Sequence, residues 1–517
     1  MHMRRGISRL LPLSIAFLAL LDGCAEDPLS VEANHAQLVA ATAASQTTVV
    51  PIPQQPGAEP VPTFIGTPAI AHRIFAPAIP QNPFMAPNGV SNIHDDSYMS
   101  DTYETGGPLG VAPQVFSAFL GTAEDWLALP ISMGFDRYGR ILLIALGNTG
   151  ARLLLLDPST LEVLAALPLP VSDAAGVVAG TYFYLDRLDR IVLPTATGQI
   201  WAVDLIGGWN RPQFNGRRAY DLTSVVEPGD EIGSVLPDFA GTLWAVTKHG
   251  TVATVNPHNG RLASVQLSDE RIENSLAADE TGGVFVVSDH ALYRFDADKK
   301  GEPVITWREP YDRGTRRKPG QLSQGSGTTP TLMGRDFVAI TDNADPYMHV
   351  LVYRRGAHVT GPRLTTSVPV FGANEGATDN SLVATDRSII VENNYGYSGP
   401  EATSGGRTTT PGLARIDIDA NGHGTVVWTS AERVPSLVTK VSLANGLIYT
   451  YTKDPGPGTT DAWYFTAIDF RTGETVWKQL AGTGLLYNNH YAGLHLGPNG
   501  TIYVGVGGGV VALRDGP

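Results

Sequence analysis

The stretch Trp463–Trp477, WYFTAIDFRTGETVW, decides the fold. A short apolar run ends in Asp469, Arg471-Thr472-Gly473 makes a turn, and a second short run closes on Trp477, which reads as two tightly joined antiparallel strands. Strands ending in an acid or amide recur as LLLLD to Asp157, IWAVD to Asp204, VATVN to Asn256, ALYRFD to Asp296, LARID to Asp417 and VVALRD to Asp515. HVLVYRR, around Tyr353, fills the remaining place without the acid. Successive anchors are 47, 52, 40, 57, 64, 52 and 46 residues apart. A period near 50 built from short strands predicts propeller blades rather than a helical solenoid.

The fold class is therefore all-β, an eight-bladed β-propeller over residues 114–517, with innermost strands beginning near Ser132, Tyr182, Val235, Ser275, Thr331, Ser381, Thr439 and Ala492. Seven blades result if the short spacing from Asn256 to Asp296 hides a merged pair. The last blade lacks its outermost strand at Asp515, and the early strand Gln114–Leu120 (QVFSAFL) is expected to supply it. Closing the ring with an N-terminal strand removes the exposed sheet edges at the seam.

Ala467-Ile468-Asp469-Phe470-Arg471-Thr472-Gly473-Glu474-Thr475-Val476-Trp477 resembles the AxDxxTGxxxW docking motif of the quinoprotein-like (PQQ-repeat) eight-bladed propellers. That group includes pyrroloquinoline-quinone (PQQ) dehydrogenases and non-enzymatic propeller lipoproteins of outer-membrane assembly. The resemblance implies a tryptophan packed between neighbouring blades and speaks to fold more than to function. Blades closing on Trp307 and Trp428 keep the acid and the tryptophan with altered turns, and the others are degenerate.

The N-terminus reads as an export signal. MHMRRGISR is basic, Leu10–Leu21 is a short apolar core, and the chain's single cysteine follows in Leu21-Asp22-Gly23-Cys24. This resembles a bacterial lipoprotein signal over residues 1–23, which implies lipidation of Cys24 and a domain held at the cell envelope, in the periplasm or outside the cell. Ala25 after the cysteine implies the outer membrane in a Gram-negative cell. Residues 24–81, rich in Ala, Thr, Pro and Gln, read as a tether, and residues 82–113, aromatic and polar without period, as an extension ordered against the propeller.

Charge and cysteine count exclude whole classes. The formal net charge is −14, which disfavours nucleic acid and anionic lipid as partners and leaves the lipid anchor as the membrane contact. With Cys24 at the anchor there is no disulfide, CxxCH haem attachment, cysteine zinc site or thiol nucleophile in the body. Neither a GxSxG elbow, an HExxH helix nor a GxxxxGK[ST] loop is present.

Function is sought in the loops. Those between second and third strands are minimal in the first four blades and become 341–348, 392–412 and 452–463 in blades 5 to 7. The interblade loops 311–330, 371–381 and 482–491 are long on the same side. Long polar loops on a rigid scaffold are where propellers place function, although loops also drift in length. The catalytic candidates are His490, Asp379, Glu392 and Lys440, for acid/base or metal-assisted chemistry. Asn380, Asn393, Asn489, Tyr491, Arg316, Arg317, Thr328 and Thr329 are candidates for holding a ligand, the arginines and threonines as an anion site. Asp342, Asn343 and Asp345 offer the hard oxygens that Ca²⁺ takes, and equally the side chains of an ordinary turn before Pro346. Glu273-Asn274-Ser275-Leu276 and Asp379-Asn380-Ser381-Leu382 repeat two blades apart, as strand caps or as groups converging on the channel. His94-Asp95-Asp96 is placed over the same mouth as a lid.

These features describe a lipid-anchored envelope propeller binding a small polar organic ligand on the face of blades 5–8, with catalysis there as one option. The alternatives are a dehydrogenase dependent on PQQ and Ca²⁺, and a non-enzymatic scaffold for envelope assembly or other protein partners.

Overall fold

Ile141–Gly147 (ILLIALG) and Ile502–Val506 (IYVGV) are apolar at nearly every position and buried at every position, a pattern tolerated only by a strand covered on both faces. A computed structural model, which describes residues 49–122, 125–170 and 181–517, shows how both faces are covered. Eight antiparallel sheets stand face to face around a ring. Their first three strands run outward in chain order, and the innermost are Leu129–Phe135, Tyr184–Leu185, Ile232–Pro237, Ala277–Ala278, Thr331–Met333, Val383–Ala384, Lys440–Ser442 and Leu494–Leu496. The eight blades and their starts follow the spacing of the anchors.

The ring closes with the early strand. Gln114–Phe119 pairs antiparallel with Gly509–Arg514, Gln114 opposite Arg514 and Phe119 opposite Gly509, and forms the outer edge of blade 8. Asp515 then caps the incoming chain, its carboxylate accepting from the N–H groups of Leu109, Gly110 and Val111 at 2.7, 2.9 and 2.9 Å.

Asp157, Asn256 and Asp469 of the recurring series are turn caps. Asp469 accepts from the N–H of Arg471 at 2.7 Å, and Gly473 takes the φ of +75° that lets the chain reverse. A Cβ on Gly473 would lie 2.5 Å from the Trp428 ring, so the tryptophan closing blade 6 packs on the turn of blade 7, where its indole N–H donates to the Phe470 carbonyl at 3.0 Å. In blades 4 and 6 the capping acid sits two residues beyond the sequence anchor, at Asp298 and Asp419.

Of residues 24–81, those from Val49 onward are described, and they lie against the ring. Phe64–Gly66 adds a further strand to the outer edge of blade 7, Ile52 is buried, and Gln54 and Gln55 bond to Thr483 and Asp461. The physical reason is the unpaired edge of Thr475–Thr483, which a low-complexity segment can cover by backbone bonds alone. Cys24, the signal at 1–23 and the start of the tether lie outside the described residues.

Candidate functional site

Eight inner strands leave eight free edges facing the axis, and their N–H groups need partners. Residues 90–103 supply them in six of the eight blades by travelling around the ring. Phe135 of blade 1 donates to the Val90 carbonyl, Leu185 of blade 2 to Ser91, Ala278 of blade 4 to Ser97, Leu332 of blade 5 to Tyr98, Ala384 of blade 6 to Ser100 and Val441 of blade 7 to Asp101, all at 2.7–3.0 Å. Thr102–Tyr103 then runs parallel to Lys440–Ser442. So tight a circuit takes left-handed residues, Asp95, Met99 and Asp101, with φ of 65°, 56° and 57°. The segment plugs the channel at the end where first strands turn into second strands, and the elaborated loops stand at the other end.

The plug carries its polar side chains into the interior, where His94, Asp95, Asp96 and Asp101 are each at most 1% exposed. Asp101 is held from two sides: one oxygen faces the Lys440 ammonium and the other lies 2.9 Å from His94 Nδ1. Lys440 also donates to the Ile93 carbonyl. A buried pair of this kind persists because both charges are satisfied. Asp95, with no hydrogen-bond partner on either oxygen, is pushed well above the usual carboxylate range by burial, and Asp96 to about 6 for the same reason. Burial also raises Glu392 to about 8, against the Thr439 hydroxyl that donates to it at 2.6 Å. It lowers His495, which accepts from the Met133 N–H at 3.2 Å.

Above the plug lie the entrances of the inner strands. Ser381, at the start of blade 6, has its Oγ 3.4 Å from His94 Nε2 and accepts from the Thr329 N–H at 3.3 Å. Tyr182, from the entrance of blade 2, stacks on the His94 ring with centroids 6.3 Å apart, and its hydroxyl reaches Asn274 Oδ1 at 3.4 Å. Asp379 is partly exposed at this mouth and accepts from the Leu322 N–H at 3.0 Å. Burial raises it well above its ordinary value, with the Glu273 carboxylate adding to the effect and Lys248 and Arg317 opposing it. Lys248 and Glu273 form an ion pair of 2.7 Å. The result is a mouth with one carboxyl biased toward its neutral form, a phenol, a hydroxyl and an imidazole.

The sequence candidates divide sharply. Asp379 lies at the mouth, and Lys440 and Glu392 lie beneath it on strands of blades 7 and 6. The three asparagines are spent on backbone carbonyls: Asn380 on Leu437 at 2.7 Å, Asn393 on Glu375 and Pro411 at 2.8 and 3.1 Å, and Asn489 on Ser436 and Ala492 at 3.2 Å each. Thr328 bonds Ser326 at 2.9 Å. Arg316 and Arg317 are exposed, and their neighbour Lys318 is buried and donates to the Ala344 carbonyl at 2.6 Å. Tyr491 reaches the Gly320 carbonyl at 3.4 Å.

His490 stands to one side, with its Nδ1 3.0 Å from the Tyr397 hydroxyl, and burial lowers its pKa to about 4. Of the calcium candidates, Asp342 accepts from the His349 backbone and ring at 2.7 and 2.8 Å, Asp345 faces the Lys318 ammonium at 3.4 Å, and the Asn343 amide donates to Arg313 and Arg316 carbonyls. Among the described residues no group of three or more His, Cys, Asp or Glu gathers as metal ligands do. Buried side chains from His94 to Asp101 occupy the plugged end of the axis.

The loops of blades 5 to 8 hold one another as a crown. Gly396 donates to the Pro319 carbonyl, Gly405 and Gly406 to the Asp461 carboxylate, and Tyr397 to Asn488, at 2.8–3.0 Å. Much of the polar character read as ligand-directed therefore serves loop against loop. Ser381 and Tyr182 are absent from the candidates that the sequence offers for catalysis or ligand binding. The signal for Ser381 was present in the repeated Asp379-Asn380-Ser381-Leu382, and none in the sequence links it to His94, which arrives from the plug.

No protein-family model matches the sequence. Among solved structures the fold is similar to BamB from Moraxella catarrhalis, with 12% identity, a TM-score of 0.42, and 72% of this chain and 91% of that one covered. It is similar to a streptogramin B lyase with 9% identity, a TM-score of 0.40, and 78% and 97% covered. An uncharacterized protein of Archaeoglobus fulgidus is 30% identical over 376 residues, which span 66% of this chain and 70% of the archaeal one. On that identity and coverage, the chain belongs to the family of this archaeal protein.

Proposed function

We propose that the chain is an envelope-anchored propeller that binds a small polar organic molecule at the mouth formed by Asp379, Tyr182 and Ser381 under the crown of blades 5–8. Asp379 carries the reading. It is partly exposed at a blind-ended channel, yet its charge is disfavoured by burial, and perturbed carboxyls concentrate where a protein binds or reacts. A carboxyl biased toward its neutral form donates one hydrogen bond and accepts another, and Tyr182 and Ser381 add hydroxyls of either sense. That combination suits a neutral polyol, ester or amide better than a strong anion. The anchoring half of the proposal rests on the basic and apolar leader before Cys24.

The test is a thermal-shift titration of the purified chain with a panel of sugars, amides, short esters and carboxylic acids, repeated with Asp379→Asn and Tyr182→Phe. A saturable rise in Tm that weakens in both variants supports the reading. Shifts that ignore both variants, or none across the panel, would sink it. PQQ with Ca²⁺ in the same titration addresses the dehydrogenase alternative.

A further inference from the structure

We propose that Ser381, His94 and Asp101 form a hydrolytic triad at the floor of this mouth, acting on small carboxylic esters; the proposal rests on the mouth being the ligand site. His94 Nδ1 lies 2.9 Å from Asp101 Oδ2, so the carboxylate fixes the tautomer with its proton on Nδ1 and leaves Nε2 bare. Ser381 Oγ lies 3.4 Å from that nitrogen, a long contact of the kind that tightens when substrate binds. The Thr329 N–H occupies one lone pair of the same Oγ at 3.3 Å, which leaves the hydroxyl proton to point at His94. Lys440 is a positioning residue that holds Asp101 through its other oxygen.

The chemistry balances with water as the only co-reactant. Ser381 Oγ bonds to the acyl carbon as its proton passes to His94 Nε2. The ester C–O bond then breaks, and the departing alkoxide takes that proton and leaves as the alcohol. Water gives a proton to His94 and its oxygen to the acyl carbon, and Ser381 regains its hydrogen as the acid departs. Tyr182 stacks on the imidazole, with its hydroxyl directed to Asn274 Oδ1 at 3.4 Å, and so flanks the base. Ser381 is 7% exposed, which restricts the acyl group to a small one. Base and acid come from the plug and the nucleophile from blade 6, which is why no contiguous motif marks the site.

The experiment uses the full chain, wild type and Ser381→Ala, with diisopropyl fluorophosphate as the probe and p-nitrophenyl acetate as the substrate. Phosphorylation mapped to Ser381, and ester hydrolysis falling about 100-fold or more in Ser381→Ala, are expected. A folded wild type that leaves Ser381 unmodified overturns the triad. Ligand-induced Tm shifts surviving in that same sample show that the mouth stands while the triad fails, and loss of both shows that both fail.

Because substitutions in the plug can unfold the chain, a second arm places Ser381→Cys in a Cys24→Ser background, which makes it the only thiol. Paired with His94, that thiol is alkylated by iodoacetamide with an apparent pKa well below the ordinary value of about 8.5. An alkylation profile at or above the ordinary value contradicts the pairing.

Discussion

Glu392→Gln gives the most quantitative test of the buried interior. Glu392 ends the second strand of blade 6 and is 3% exposed, and burial raises its carboxyl from 4.5 to about 8. The folded chain keeps this proton across a range in which the unfolded chain has lost it. Between those two values unfolding releases a proton, so stability falls as pH rises, by about 1.4 kcal/mol per pH unit and about 5 kcal/mol in all, with the loss complete above the folded value. Glutamine has the same shape and no proton to lose. The unfolding free energy of the variant relative to wild type should therefore rise by about 3 kcal/mol between about pH 5 and about pH 7.5. Urea unfolding followed by tryptophan fluorescence reads this difference, and the other buried carboxyls, Asp95, Asp96 and Asp379, are common to both proteins and cancel. A difference that stays flat across this range refutes the argument.

Three further outcomes follow from the same contacts. His490, lowered to about 4 by burial, should show no titration of its ring NMR signals between about pH 5 and about pH 8, and the stability its neutral form contributes should be lost only as pH falls from its ordinary 6.5 through that value. Trp428→Ala removes the indole from the Gly473 turn and its bond to Phe470, and should cost about 2 kcal/mol in denaturant unfolding, whereas an effect below about 0.5 kcal/mol would contradict its role between blades. Lys440→Met leaves Asp101 buried without its cation and should destabilise by about 3–5 kcal/mol, and adding Asp101→Asn should recover a large part of that loss.

The ring was legible because its signal is redundant. Seven spacings favour eight blades over seven, and a last blade one strand short points to Gln114–Leu120; the eight sheets and the pairing of Gln114–Phe119 to Gly509–Arg514 bear both out. The plug was not legible in the same way. It follows the ring rather than a strand or helix, so its side chains show no period, and His94-Asp95-Asp96 reads as a lid over the mouth although these residues and Asp101 are buried in the plug. The matching quartets show the limit of local pattern. Ser275 bonds Ser234 at 2.7 Å, and Ser381 meets His94, because the circuit brings the histidine beside blade 6. Asn380, Asn393 and Asn489 were read by type and place, but a long loop must first satisfy its own backbone, and their amides go there. A second series of turn acids, Asp136, Asp186, Asp238 and Asp279, caps the first strands and was present in the sequence beside the series that revealed the ring.

The most direct measurement of the central claim is a crystal structure of the chain soaked with small neutral esters, amides and polyols. The account predicts density within hydrogen-bond distance of Ser381, Tyr182 and Asp379, above the His94–Asp101 floor. Ligands gathered only in the groove of about 220 Å³ at the opposite face, between Ala76–Pro80 and Tyr98, would contradict it.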